Sequence, residues 1–333
     1  MRWSLRVLRI SRQNCSRLEG LVSFFKIIER QSEPRQVLNA PLQDCTEHYT
    51  QVGDINLCWF EWGKAYAEQG TTLLVHATGF HARCWDQTIR HLPSRHIIAV
   101  EMRGHGRSDN TGPITWEQLS TDLAGFVEAL GLHDLVAAGH SLGGYCLTHA
   151  AALMPERFRR LVLIDPVIMD PEFYNTNTNQ QANFLDEKGR HPVAKRRNQF
   201  DSVAAMVANF TGRGSFAVWQ DAVLQDYCEY GLLPSTAGEG FVLACPPTVE
   251  AAIYMGSGSH DLYGELDRVV MPVTVLRAFR QDGPRTEMNF SLSPTYPGLA
   301  ALFPDAEDIY LPELTHFMPM QAPKVVAQYL LKQ

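Results

Sequence analysis

No run in the 333 residues reaches the roughly 18 consecutive apolar positions that a membrane-spanning helix needs. There is no H-E-x-x-H, no C-x-x-C pair and no G-x-G-x-x-G behind a strand. Zinc-protease, structural-zinc and dinucleotide signatures are therefore absent, and the motifs imply no metal and no cofactor. A basic excess is missing too. Lys and Arg total 29 against 36 Asp and Glu, for a formal net charge of −7, which argues against a nucleic-acid partner. The seven cysteines (Cys15, Cys45, Cys58, Cys84, Cys146, Cys228, Cys245) are odd in number and scattered. That excludes a disulfide framework, suits a reducing compartment and implies a cytoplasmic location. Internal repeats and low-complexity tracts are also lacking. With 45% apolar and 20% charged residues, the chain is not a disordered, collagen-like or simple coiled-coil sequence. A single core stops growing near ~250–300 residues, so this length implies one domain with a large insertion, or two domains.

Acidic residues are missing before Glu19, where five arginines stand: Arg2, Arg6, Arg9, Arg12 and Arg17. At about 100° per residue these fall in one arc, and Trp3, Val7, Leu8, Ile10 and Leu18 fall in the other. The pattern is that of an organelle transit peptide of the mitochondrial kind, or of an interfacial helix touching a membrane surface through residues 1–30. The competing readings are a frayed extension and a start codon placed too far upstream. The apolar stretches are too short for a secretory signal. Residues 1–44 are set outside the core fold.

From Glu47 the chain alternates strand and helix. Glu47–Val52 and Ile55–Trp62 flank Gly53-Asp54, a hairpin signal. Short buried-strand runs follow at Thr71–Val75, His96–Val100, Asp134–Ala138, Leu161–Ile164, Val273–Leu276 and Ala306–Leu311. Helical spacing is read over Trp116–Leu130, Leu142–Met154 and Val325–Leu331. Such alternation means βαβ units and a mostly parallel sheet with helices on both faces, with all strand carboxyl ends on one ligand-binding edge. The rhythm fails over residues 166–268. That aromatic-rich, helix-like stretch shows no clear strand, and it is expected to sit over the active edge as a helical lid. The core is then 45–165 plus 269–333.

Four short pieces carry chemistry. Gly139-His140-Ser141-Leu142-Gly143-Gly144 is a G-x-S-x-G with a strand before it and a helix after it. Glycines there permit a turn so tight that Ser141 is pushed out at the sheet edge as a nucleophile. His76-Ala77-Thr78-Gly79-Phe80 follows an early strand. An amide of this loop, best placed at Thr78, joins the amide of Leu142 as a donor pair for an oxyanion. His76 itself reads as a loop brace. His316, in Leu314-Thr315-His316-Phe317, follows the last strand and is the candidate general base. Two acids compete to orient it. Asp165 ends the strand Leu161–Ile164, and Asp282 lies past Val273–Leu276 within Arg280-Gln281-Asp282-Gly283-Pro284.

These segments, with Arg103-Gly104-His105-Gly106-Arg107-Ser108, resemble the α/β-hydrolase superfamily of the cap-bearing kind over residues 47–331. The resemblance implies an eight-stranded-type sheet and a Ser–His–acid triad. That superfamily usually carries its acid after the strand matching Val273–Leu276, in a G-x-x-D-like loop. Here the loop reads Ala278-Phe279-Arg280-Gln281-Asp282, with glutamine where aspartate is common. Certain relatives, some haloalkane dehalogenases among them, carry it one strand earlier, as Asp165 would be, and Asp165 is preferred for that reason. In the Arg103–Ser108 turn the glycines are structural and His105 braces the loop.

A serine at the elbow supports an acyl-enzyme and hydrolysis of an ester, thioester or amide. It argues against epoxide and halide chemistry, which uses aspartate there. The expectation is a carboxylesterase or lipase-like enzyme for a small apolar ester. The alternatives are a cofactor-free C–C hydrolase, a perhydrolase, or a non-catalytic ligand-binding module. Lid aromatics such as Phe184, Phe210, Phe216, Trp219 and Tyr227 favour an apolar pocket, though helical spacing suits core packing at least as well. Lys195-Arg196-Arg197 reads as a solvated helix face.

Overall fold

The computed structural model describes residues 45–175, 185–281 and 289–332. The Arg-rich start, Phe184 and Asp282 lie outside them. Eight strands form one sheet: β1 (Thr46–Val52), β2 (Ile55–Trp62), β3 (Thr71–Val75), β4 (His96–Val100), β5 (Leu135–His140), β6 (Phe158–Ile164), β10 (Val273–Ala278) and β11 (Ala306–Leu311). Their order is β1-β2-β4-β3-β5-β6-β10-β11. β1 pairs antiparallel with β2 and β2 with β4, and every pair from β4 to β11 is parallel. The eight strands expected from the sequence are all present, each within three residues of its expected ends.

β3, β4 and β5 are buried at every residue, as strands covered on both faces must be. Successive side chains leave by opposite faces. Leu73 and Val75 join one apolar cluster with Trp116, Phe126 and Tyr145 of the helices Trp116–Ala129 and Leu142–Leu153. Leu74, Ile97 and Ala99 join a second cluster with Trp85 and with Val326 and Leu330 of the helix Pro323–Leu331. Thr115 caps the first of these helices by accepting a hydrogen bond from the Gln118 amide.

The turn leaving β4 is held by charge. Arg103, 1% exposed, donates through Nε and Nη2 to the two carboxylate oxygens of Asp122, at 2.7 and 2.9 Å. Its Nη1 reaches the Thr111 carbonyl at 2.6 Å. Removing one partner of a buried pair strands the other charge, at ~3–5 kcal/mol. Arg103→Met is therefore expected to lower the unfolding free energy measured by urea denaturation by about that much, and adding Asp122→Leu to recover part of the loss.

Between β6 and β10, which are parallel neighbours, comes the insertion. It holds the helices Val203–Phe210, Asp221–Tyr230 and Pro247–Met255. It also holds a small antiparallel sheet that the sequence did not announce: β7 (Gln199–Phe200), β8 (Leu232–Pro234) and β9 (Phe241–Leu243), in the order β7-β9-β8. Strands of two or three residues are too short for alternation to register. The Lys195-Arg196-Arg197 stretch is not a solvated helix face either. Lys195 ends a 3-10 turn and pairs with Asp186. Arg196 donates to Glu250 Oε2 at 2.6 Å and to the Tyr227 hydroxyl at 3.1 Å.

Candidate active site

β5 runs into the G-x-S-x-G turn. Ser141 takes φ 58°, ψ −118°, a conformation that L side chains rarely adopt. The strain is held by backbone bonds on both sides. The Ser141 amide donates to the Ile164 carbonyl at 3.0 Å, and its own carbonyl accepts from Gly144, Tyr145 and Val167. The flanking glycines are required by contact rather than by flexibility. A Cβ at Gly139 would strike the backbone of Gly143 and Gly144, and one at Gly143 would strike the carbonyls of Val75 and His76.

The structure brings Ser141, His316 and Asp165 together. The Ser141 hydroxyl lies 3.0 Å from His316 Nε2, and His316 Nδ1 lies 2.6 Å from Asp165 Oδ2. With Nδ1–H donated to the carboxylate, Nε2 carries the lone pair that the serine hydroxyl can use. All three residues are at least nine-tenths buried. Asp165 Oδ1 accepts from the Ala278 amide at 2.9 Å, the Ser293 hydroxyl at 2.5 Å and the Thr295 hydroxyl at 3.2 Å. Burial alone would push the Asp165 carboxyl up. The contacts from His316, Ser293 and Ala278 outweigh it and hold the group below its ordinary value.

His316 is itself fixed from two sides. Its amide donates to the Ser291 carbonyl at 2.9 Å, and its carbonyl accepts from His140 Nε2 at 2.8 Å. His140, Ser293 and Thr295 went unread in the sequence. His140 stood in plain view inside G-H-S-L-G, but Ser293 and Thr295 belong to no motif and reach the site only through the fold.

The loop after β3 is braced by two histidines. His76 Nδ1–H donates to the Ala77 carbonyl and its Nε2 accepts from the Met102 amide. His105 Nδ1–H donates to the Arg103 carbonyl and its Nε2 accepts from the Gly79 amide. The Phe80 amide is engaged by the Ala77 carbonyl. Gly79 and Phe80 are thus occupied, which keeps Thr78 as this loop's candidate donor opposite Leu142, the first residue of its helix.

Burial lowers the pKa of His76, His81, His105 and His140, to about 3 for His81 and His140 and about 4 for His105. These rings stay neutral in the fold but take up protons once unfolded. Below the ordinary histidine value near 6.5 the unfolded chain holds more protons, so stability falls as pH falls, down toward the folded values. Each such ring contributes a slope approaching ~1.4 kcal/mol per pH unit. Acid unfolding followed by circular dichroism is expected to begin below pH 6.5, well above carboxylate titration. Replacing His81 by Gln should flatten it.

An aromatic cluster joins the insertion to this edge. Trp219 and Tyr227 lie 5.6 and 5.4 Å from Phe80, and Trp219 lies 5.6 Å from Phe317. Phe317 in turn meets the His316 ring edge-on at 5.7 Å.

Residues 72–329 match the sequence model of the Alpha/beta hydrolase family. The chain belongs to that family. Among its relatives, the Mycobacterium tuberculosis protein named Lipase LipV is 36% identical over 96 residues, 29% of this chain and 37% of that one. The chain thus matches little more than a third of that relative's length. An Acinetobacter baylyi protein named 3-oxoadipate enol-lactonase 2 is 23% identical over 225 residues, 67% of this chain and 75% of that one. A solved E-2-(acetamidomethylene)succinate hydrolase superposes with a TM-score of 0.66 at 21% identity, covering 86% of this chain and 97% of that structure. At that identity the likeness speaks for the shared α/β-hydrolase fold. Among the described residues no helix is long and apolar enough to cross a membrane.

Proposed function

We propose that this alpha/beta hydrolase cleaves small carboxylic esters through an acyl-enzyme on Ser141. The observation that carries the reading is the continuous hydrogen-bonded line from Ser141 Oγ through His316 to Asp165. Ser141 Oγ attacks the ester carbonyl carbon as its proton passes to His316 Nε2. Asp165 stabilises the imidazolium and keeps the ring in register. The amides of Leu142 and Thr78 stabilise the oxyanion, each donor being worth on the order of 3 kcal/mol. The C–O bond then breaks and the departing alkoxide takes the proton from Nε2. Water repeats the sequence, releasing the acid and restoring the serine.

The insertion serves as a cap. Its Trp219 and Tyr227, packed on Phe80 and Phe317, favour an apolar substrate. The lipase and lactonase names among the relatives support ester-type chemistry. The test is fluorophosphonate labelling with the modified residue mapped, beside p-nitrophenyl ester hydrolysis over a range of acyl lengths. Labelling of Ser141 with turnover of some ester is the expected result. A folded chain that takes no label and cleaves no ester would overturn the reading in favour of ligand binding. Labelling without any ester turnover would overturn ester specificity in favour of C–C hydrolysis.

A further inference from the structure

Away from the triad, on the buried side of the nucleophile's helix, three potential ligands converge. His149 lies about two helical turns beyond Ser141 on Leu142–Leu153. His260 and Glu265 belong to the stretch that returns from the insertion toward β10. One ring nitrogen of each histidine and one carboxylate oxygen of Glu265 lie within 4.8 Å of one another. We infer that His149, His260 and Glu265 form a binding site for a divalent first-row transition ion, of which Zn²⁺ fits best.

Distances are the first argument. Glu265 Oε2 stands 3.5 Å from His149 Nε2, and Oε1 stands 3.8 Å from His260 Nε2. Hydrogen bonds between such groups close to about 2.7–3.2 Å, so both contacts are too long to be settled pairs. Ligand bonds of about 2.0–2.1 Å around a tetrahedral ion set the donor atoms roughly 3.3–3.4 Å apart. The two nitrogens approach that spacing from different carboxylate oxygens, His149 from Oε2 and His260 from Oε1, so the carboxylate turns on binding to offer one oxygen to both. The Glu265 side chain, partly exposed, has room for that adjustment, and no two of the three ligand atoms lie more than 4.8 Å apart.

Unmet bonding is the second argument. Glu265 Oε2 is buried and accepts no hydrogen bond. A carboxylate oxygen removed from water without a donor is costly, and a cation between it and the imidazoles relieves that cost. The third argument is orientation. Tyr145, one turn before His149 on the same helix, donates its hydroxyl hydrogen to the His260 carbonyl at 3.1 Å and accepts from His260 Nδ1 at 2.8 Å. That bond puts the proton on Nδ1 and leaves Nε2, facing Glu265, with its lone pair. Fixing the far nitrogen in this way is how outer residues prepare a histidine ligand. Two nitrogens and one carboxylate suit zinc and its neighbours rather than Ca²⁺ or Mg²⁺, which prefer oxygen. Solvent supplies the fourth position. The bound ion ties the helix that begins at the nucleophile to the return of the insertion.

The experiment uses the full chain after chelator treatment, titrated with ZnCl₂ by calorimetry, with Co²⁺ absorption as a second readout. Wild type is expected to bind one equivalent of zinc and to show a raised thermal transition. His149→Gln and Glu265→Gln should each weaken binding at least 100-fold, and Tyr145→Phe about tenfold. The cobalt spectrum should lack a thiolate charge-transfer band. The inference fails if no equivalent binds. It fails equally if binding survives in both His149→Gln and Glu265→Gln, or if a thiolate band places the ion on a cysteine. Should His149→Gln misfold, Glu265→Gln, whose carboxylate lies nearer the surface, carries the test.

Discussion

Ser141→Ala is expected to lower kcat on a p-nitrophenyl ester by roughly 10⁶-fold, the loss seen when a nucleophile acting as one unit with its base is removed. The hydroxyl 3.0 Å from His316 Nε2 is the group that would carry the acyl chain, and alanine offers no atom to replace it. Stability gives a second, independent readout. Ser141 is held at φ 58°, ψ −118°, and a strained non-glycine residue costs of order 1–3 kcal/mol. Ser141→Gly should be as inactive as Ser141→Ala yet unfold at a higher temperature, because glycine tolerates that backbone and alanine does not. Thermal unfolding of both variants beside wild type checks this. Activity retained within tenfold in Ser141→Ala would place the nucleophile elsewhere. A glycine variant no more stable than the alanine one would show that the turn stores no strain.

The middle of the sheet was legible because β3, β4 and β5 are buried on both faces. Continuous apolar runs such as Leu73–Val75 and Ile97–Val100 leave little else for the chain to do there. The elbow was legible for a different reason. Backbone contact at Gly139 and Gly143 forbids a Cβ, so the turn writes its glycines into the sequence. What stayed hidden was set by distance along the chain. Ser293 and Thr295 reach Asp165 only because β6 and β10 lie side by side. His149, His260 and Glu265 meet only because the insertion returns across the helix of the elbow. The insertion's own sheet was missed because β7, β8 and β9 are shorter than any periodicity can show. Arg196 was misread because a run of three cations looks solvated until the fold supplies the buried Glu250.

Asp165→Asn is expected to cost about 10⁴-fold in kcat, while Asp282→Asn leaves turnover within about twofold. The reasoning rests on the proton between Asp165 and His316. A carboxylate accepts Nδ1–H and so leaves Nε2 free to take the serine proton. An amide nitrogen placed at Oδ2 would instead donate toward Nδ1, favouring the ring form that carries hydrogen on Nε2, which cannot act as base. The geometry should survive, since Oδ1 keeps its donors from Ala278, Ser293 and Thr295, so the variant is expected to fold and to bind substrate with KM little changed. Ser293→Ala removes only one donor and should cost far less. Because that hydroxyl helps to hold the Asp165 carboxyl low, its loss raises the carboxyl toward the ordinary range, and the acid limb of the activity profile should move to higher pH. The opposite result, Asp282→Asn collapsing while Asp165→Asn stays active, would mean that the loop beyond β10 folds back to orient His316. It would also leave the amide of Ala278, at the end of that strand, donating to a carboxylate with no part in the chemistry.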